Sequence, residues 1–351
     1  MSGVIEPVLS AELDALVQAQ AERLATFFGK RIMITGATGL VARILTLLFL
    51  RANERLNLEL TVIAIARNPQ KVARLYGDLA KRSDLQFVYQ DIKQPYDQVS
   101  QPVDFIFHAA AVTGSKQLIT QPVEAFSAQV LGMLNVMTRA QQDHARVVYL
   151  SSMEIYGQPF VDRRATEQDV GYVDPLVIRN GYPESKRSNE FLASAYHHEF
   201  GVHVVNARLA QTFGPGVSAD DTRVFAQFAR SALRGEPLVL HTDGSSLGNY
   251  CYLPDTIAAL LTLSVDGQAG ESYNVVNEAT TISIKELAEL VATHFGNGQV
   301  VIDIPDEDMG YAPQVQLRLS GQKLEALGWQ PTAGLVEMFE QTIKSWGSMT
   351  R

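Results

Sequence analysis

The sequence predicts an α/β fold, a doubly wound parallel sheet joined to a smaller C-terminal α/β region. It rests on three observations. Short, near-continuously apolar segments rich in β-branched residues alternate with helical stretches as far as about Arg208, as expected of strands buried on both faces. A glycine-rich turn separates the first strand from the helix that follows it. Beyond Arg208 the rhythm loosens into loops rich in Gly, Pro, Asp and Ser, with shorter elements between them.

Taken in order, Ser10 is placed to N-cap an amphipathic helix in an extension over residues 1–29. Strands follow at 31–35, 60–66, 85–89, 103–107 and 146–150, with helices from Leu40 and over 123–140, and a sixth strand at 201–207. Met133 and Met137, at helical spacing, are expected as core or interface filler. Ser283-Ile-Lys-Glu286 is a capping box opening a helix toward His294. The expected division is 30–208 for a first domain and 209–351 for a second, with part of 225–265 returning to the first.

The chain of 351 residues is long enough for two domains. Its 29 Lys and Arg against 38 Asp and Glu give a net charge of −9, which argues against a nucleic-acid surface. The single cysteine, Cys251, forms no internal disulfide and no thiolate metal cluster, and it fits a reducing cytoplasm. The most apolar helical run, 41–50, stops at Arg51, short of a membrane span. The N-terminal segment, with Glu6, Glu12 and Asp14, does not read as a signal peptide. His197 and His198 are adjacent and so face apart on a helix, and no metal site is expected.

Thr35-Gly-Ala-Thr-Gly-Leu-Val-Ala42 lies between a strand and a helix. Gly36 allows the tight turn, Gly39 the close approach of a pyrophosphate, and Ala42 close packing of helix on strand. The helix N-terminus then offers N–H groups and its positive dipole end to phosphates. This strand–turn–helix context makes a Rossmann-type dinucleotide site the expected reading, with Gly36, Thr38, Gly39 and Leu40 as contacts. At the end of the second strand an acid would select NAD, and an Arg accommodates the 2′-phosphate of NADP. The residue there is Arg67, which tips the expectation toward NADP. Asp91 and Ile92 follow the third strand, and Ala109, Ala110 and Ala111 follow the fourth, all as further cofactor contacts. His108 is expected as a packed histidine.

Ser151-Ser-Met-Glu-Ile-Tyr-Gly157 follows the fifth strand, and Tyr182-Pro-Glu-Ser-Lys186 comes later. Tyr182 and Lys186 are four apart and share a helix face. A free tyrosine, with a pKa of about 10, is a poor base at neutral pH. An adjacent ammonium would lower that value and make the phenolate a base toward a substrate hydroxyl. Ser152 would hold the same oxygen, and Lys186 would also grip the nicotinamide ribose.

Thr35-Gly-Ala-Thr-Gly39, His108-Ala-Ala-Ala111, Ser151-Ser-Met-Glu-Ile-Tyr-Gly157 and Tyr182-xxx-Lys186 resemble the extended short-chain dehydrogenase/reductase family. More narrowly they resemble its NAD-dependent epimerase/dehydratase branch, from about Lys30 onward. The resemblance implies a redox-neutral cycle on a nucleotide-diphosphate sugar through a transient 4-keto intermediate. It also implies a homodimer formed by helices near 123–140 and 182–200. Met153 stands where the branch's sugar dehydratases carry Asp, which points away from 4,6-dehydration and toward 4-epimerisation or decarboxylation. Glu154 matches the glutamate of its UDP-glucuronate decarboxylases as an acid or base, beside a structural alternative in which it pairs with an arginine. Thr113, Gln211, Arg223 and Asn249 are the expected substrate contacts. The branch's usual phosphate-site Asn is Gln211 here and its phosphate-clamping Arg is Gly248, so Arg223 is a substitute cation. These departures keep open an NADP-dependent dehydrogenase or reductase of a non-nucleotide metabolite, and a dinucleotide-sensing protein without catalysis.

Overall fold

The structure, a computed structural model, describes residues 5–304 and 314–349. Among these residues, strands β1 (Arg31–Thr35), β2 (Thr61–Ala66), β3 (Leu85–Tyr89), β4 (Phe105–His108), β5 (Arg146–Ser152) and β6 (Val204–Leu209) come first. Short strands follow: β7 (Gln211–Phe213), β8 (Leu238–Leu240), β9 (Leu247–Gly248) and β10 (Tyr250–Tyr252). Then come β11 (Ser272–Val275), β12 (Ile282–Ser283) and β13 (Val300–Ile302). The helices are α1 (Pro7–Ala19), α2 (Ala21–Ala25), α3 (Leu40–Leu56), α4 (Pro69–Tyr76), α5 (Ser115–Thr120) and α6 (Pro122–Asp143). After them lie α7 (Gly181–Phe200), α8 (Val224–Arg234), α9 (Leu253–Asp266), α10 (Ile284–Phe295), α11 (Gln322–Glu325) and α12 (Leu335–Met349).

The central sheet runs β11-β6-β5-β4-β1-β2-β3, and every neighbouring pair is parallel. The strand order reverses between β1 and β4, which opens a crevice at their carboxyl ends, the usual ligand position in such sheets. The seventh strand, β11, comes from beyond residue 208 and was not expected from the sequence. Its Ser272–Val275 pair with Asn206–Leu209, so a late segment completes the sheet to which β5 and Ser152 belong.

Helix α9 is buried from Leu253 to Ser264, as its all-round apolar sequence requires. It shares a core with α1, α3 and one face of the sheet. On the opposite face Met133 and Met137 of α6 pack with Tyr149, Ala193 and Val204. The smaller lobe has its own core, in which Phe213 stacks on Phe225 with ring centres 4.5 Å apart. The Ser283–Glu286 capping box forms as expected.

Helix α1 starts one turn earlier than the sequence suggests. Glu6 accepts from the amides of Val8 and Leu9, with Pro7 at the first helical position. Ser10 is therefore inside the helix, where its hydroxyl accepts from Arg51 Nη2 at 3.0 Å. A carboxylate cap with a following Pro satisfies two end N–H groups and outcompetes the hydroxyl. The Tyr252 hydroxyl donates to Glu12 at 2.7 Å and ties α1 to the smaller lobe.

Candidate active site

The glycine-rich turn sits at the carboxyl end of β1 beside β4. Gly36 has φ 71°, and a Cβ there would lie 2.7 Å from Ala110 Cα. Both conformation and proximity therefore exclude a side chain, and the obstruction is the β4–α5 loop as much as any ligand. The Tyr76 hydroxyl donates to the Ala37 carbonyl at 2.6 Å and fixes the turn. Gly39 is the N-cap of α3, with no capping side chain and no acid in the first turn. That end fits a pyrophosphate, with Thr38, Gly39 and Leu40 as the residues that would hold it.

The other expected cofactor residues gather on the same edge. Arg67 and Asp91 end β2 and follow β3, with Arg67 Nη1 3.9 Å from the Asp91 carboxylate. The Ile92 carbonyl accepts from Asn135 at 2.9 Å, which anchors this loop to α6. The Ala110 amide donates to Thr35 Oγ1, and that hydroxyl lies 2.8 Å from His108 Nδ1. His108 is buried and pushed down to about 3 by desolvation, with the Lys186 charge adding to the effect. It is a neutral packed ring, as expected.

Ser152 ends β5, and its hydroxyl accepts from the Glu154 amide at 3.2 Å. Tyr182 lies in the first turn of α7, with Lys186 one turn further on the same face. Lys186 is only 3% exposed. Its ammonium donates to the Leu150 carbonyl at 2.7 Å and lies 4.8 Å from the centre of the Tyr149 ring. Desolvation pushes Lys186 down to about 7, against the pull of Glu190 and Glu154. The expected lowering of the Tyr182 pKa is not what the structure shows. Burial, and then the Glu154 charge, raise the phenol well above its ordinary value; the Ser152 hydroxyl and Arg179 oppose them more weakly. Burial outweighs the opposing groups, and the Lys186 ammonium is turned to the Leu150 carbonyl.

The sequence did not single out Arg179, in the turn Ile178–Asn180 just before α7. It forks onto Glu154, with Nη1 3.1 Å from Oε2 and Nη2 donating to Oε1 at 3.3 Å. Its Cζ lies 5.9 Å from the centre of the Tyr182 ring. A cation three residues before the catalytic tyrosine was the available signal. Behind the site, Arg208 grips Glu190 at 2.7 Å, and Ser151 donates to the same carboxylate at 2.6 Å. This buried pair braces the catalytic end of β5 against α7 and β6.

The NAD dependent epimerase/dehydratase family model matches residues 32–277. The chain belongs to this family. It is 32% identical over 237 residues to UDP-glucuronic acid decarboxylase 6 of Arabidopsis thaliana, covering 67% of each chain. An epimerase from Methanothermobacter thermautotrophicus superposes with a TM-score of 0.77 at 22% identity, over 94% of this chain and 96% of the other. A UDP-glucuronic acid 4-epimerase from Bacillus cereus, solved with UDP-glucuronic acid and NAD, superposes with a TM-score of 0.75 at 20% identity. That match covers 91% of this chain and 99% of the epimerase. The two structural likenesses establish the fold.

As a member of the NAD-dependent epimerase/dehydratase family, the chain departs most on the substrate side. A Cβ on Gly248 would lie 2.5 Å from the Tyr250 hydroxyl oxygen, so the phenol fills the space of the family's arginine. Asn249 is fully buried. Its amide donates to the Leu317 carbonyl at 2.8 Å and accepts from the Leu319 amide and the Thr281 hydroxyl. It is a buried bracket whose side-chain amide is committed to residues 281, 317 and 319. Arg223 stacks on Phe225 at 4.6 Å and pairs with Asp221 at 2.7 Å. Gln211 begins β7, half-buried beside Asn249, and Thr113 is exposed between β4 and α5. The structure thus brings Ser152, Glu154, Tyr182 and Lys186 together and leaves Asn249 outside the group.

Proposed function

We propose that this family member decarboxylates a nucleotide-diphosphate uronic acid through a 4-keto intermediate, and releases its cofactor in the oxidation state in which it started. The observation that carries this is the placement of Glu154 beside Tyr182, with Ser152 and Lys186, at the carboxyl end of β5. Bound NAD supplies the hydride acceptor at the start of the cycle and the donor at its end.

Tyr182 takes the proton of the C4 hydroxyl, and the Ser152 hydroxyl holds that oxygen. The raised phenol means that the tyrosine keeps its proton until a positive group stands over it. A ketone at C4 makes the C5 carboxylate a β-keto acid, and carbon dioxide leaves with its electron pair in the C4–C5 enolate. Glu154, once it has taken up a proton from solvent, is placed to hand it to C5. The names of the decarboxylase relatives support this choice over plain epimerisation, and Met153, which packs on the core, argues against 4,6-dehydration.

Arg67 extends the reading to NADP. No side-chain hydrogen bond holds it among the described residues, and its ion pair with Asp91 is long at 3.9 Å. A homodimer across α6 and α7 is supported by exposed apolar side chains on both, Val123 at 79% and Phe191 at 70%. A cytoplasmic location rests on the single, buried Cys251. No helix among the described residues is long and apolar enough to cross a membrane.

The test is incubation with UDP-glucuronic acid and catalytic NAD, followed by mass spectrometry. Loss of carbon dioxide without net NADH is the expected result. A product of unchanged mass would replace decarboxylation by epimerisation. Stoichiometric reduction of NAD(P) or oxidation of NAD(P)H would favour the simple dehydrogenase.

A further inference from the structure

We propose that Arg179 is the carboxylate subsite of this enzyme. In this assignment the guanidinium leaves Glu154 for the carboxylate of the incoming sugar, and that exchange selects a uronic acid over a neutral hexose. It rests on the uronate substrate proposed above.

The geometry is that of a carboxylate receptor. Two nitrogens face two oxygens at 3.1 and 3.3 Å, the fork arrangement in which arginine binds carboxylates most selectively. The receptor stands in the right place. Arg179 lies 5.9 Å from the ring of the base that serves C4, and the uronate carboxyl is carried by the adjacent carbon. It is also pre-formed, because the Arg179 side chain is only 14% exposed while Glu154 is 37% exposed. The Nε of Arg179 is buried with no hydrogen-bond partner among the described residues. Glu154 therefore does not use all that the guanidinium offers.

Neighbouring arginines are committed elsewhere. Arg187 donates to the Ile155 and Gly171 carbonyls. Arg208 is locked to Glu190, Tyr156 and the Glu167 carbonyl. Arg164 holds Glu278 together with the Leu319 carbonyl. These contacts are structural, and moving them would strand buried groups. Arg179 instead has a partner that belongs to the site, and residue 248 offers no side chain.

Exchange of one carboxylate for another leaves Arg179 satisfied throughout. A neutral hexose offers no replacement charge and leaves the Glu154–Arg179 pair closed, so selectivity comes from the charge-assisted fork that only a uronate can make with Arg179. Glu154 is released toward Tyr182 only when a uronate has arrived.

The experiment is calorimetric binding of UDP-glucuronic acid and UDP-glucose to the full chain with saturating NADH, which cannot accept hydride and so holds the complex short of turnover. The wild type should favour the uronate by about tenfold or more, as for a charge-assisted fork. In Arg179→Gln the preference should fall to within about threefold, with UDP-glucose affinity unchanged. Glu154→Gln removes the competing carboxylate, and should tighten UDP-glucuronic acid severalfold while leaving UDP-glucose alone. A preference retained in Arg179→Gln, or absent from the wild type, overturns the proposal. Should Arg179→Gln lose NADH, Glu154→Gln decides alone, and unchanged or weaker uronate binding there also overturns it. Failure of the wild type to bind either nucleotide sugar would instead bring down the nucleotide-sugar substrate itself.

Discussion

Lys186 Nζ lies 5.8 Å from the centre of the Tyr182 ring, one helical turn further along α7. The ammonium supports the tyrosine across a short gap while its direct hydrogen bond goes to the Leu150 carbonyl. The phenol hydroxyl is thus left to Ser152 and not to the ammonium. Tyr182→Phe should keep NAD bound and lower kcat by about 10²–10⁴, the usual worth of a positioned acid–base group. Single-turnover assays with a dinucleotide-binding titration check this. Activity within a few-fold of wild type would remove Tyr182 from the chemistry.

Burial gives Lys186 a second, measurable property. Its folded value is about 7, below the roughly 10.4 of an exposed lysine. Between these values the unfolded chain binds more protons than the folded one, so the Lys186 contribution makes stability rise with pH over that window. Below about pH 7 both states are charged, and the folded state carries the full cost of burying an ammonium. Lys186→Met should therefore melt higher than wild type at pH 6, with a difference that shrinks toward pH 10. A ¹³Cε-lysine resonance titrating near 7, and missing in the variant, would confirm the assignment. The same difference at both pH values would refute it.

Local pattern was enough for the strands of the parallel sheet, the phosphate turn and the shared face of Tyr182 and Lys186 on α7, because each sits within one strand, turn or helix. What needed the structure was assembly across distant segments. Strand β11 joins β6 through Ser272–Val275, and nothing local in those residues names that partner. Asn249 looks polar and available in the sequence, yet three partners from residues 281, 317 and 319 fold around it. Arg179 meets Glu154 across 25 residues. The Tyr182 phenol is raised because burial, invisible in a spacing rule, outweighs the charges near it.

Gly36→Ala places a methyl 2.7 Å from Ala110 Cα at φ 71°. Backbone cannot swing aside as a side chain would, and the left-handed conformation alone costs an L-residue about 1–2 kcal/mol. The expected outcome is a lower melting temperature together with loss of NAD binding. Gly39→Ala, where φ is −81° and the nearest atom is 3.2 Å away, should be milder in both. Equal effects of the two substitutions would argue against the close approach of the β4–α5 loop as the constraint.

Arg67→Ala tests cofactor choice. The side chain is exposed and, among the described residues, reaches only Asp91, so its removal should leave the melting temperature unchanged. NADP affinity should fall by about tenfold, as for loss of a charge-assisted contact, with NAD affinity nearly constant. Fluorescence titration with both reduced dinucleotides reads this directly. If NADP binding is the same with and without the guanidinium, Arg67 does not meet a 2′-phosphate.

Gly248→Arg asks whether the family's arginine can simply be restored. The Tyr250 ring already fills that space, with its hydroxyl oxygen 2.5 Å and Cε2 2.6 Å from a Cβ at 248. Tyr250 is itself wedged against Phe213 in the smaller core, ring centres 5.9 Å apart. Overpacking of this kind costs about 1–3 kcal/mol, so the single substitution should lower the melting temperature and gain no activity. Gly248→Arg with Tyr250→Ala makes room for the guanidinium at the expense of aromatic packing, and should be destabilised by less than the sum of the two single substitutions. Additive losses in the double variant would show that the phenol is not what excludes the arginine.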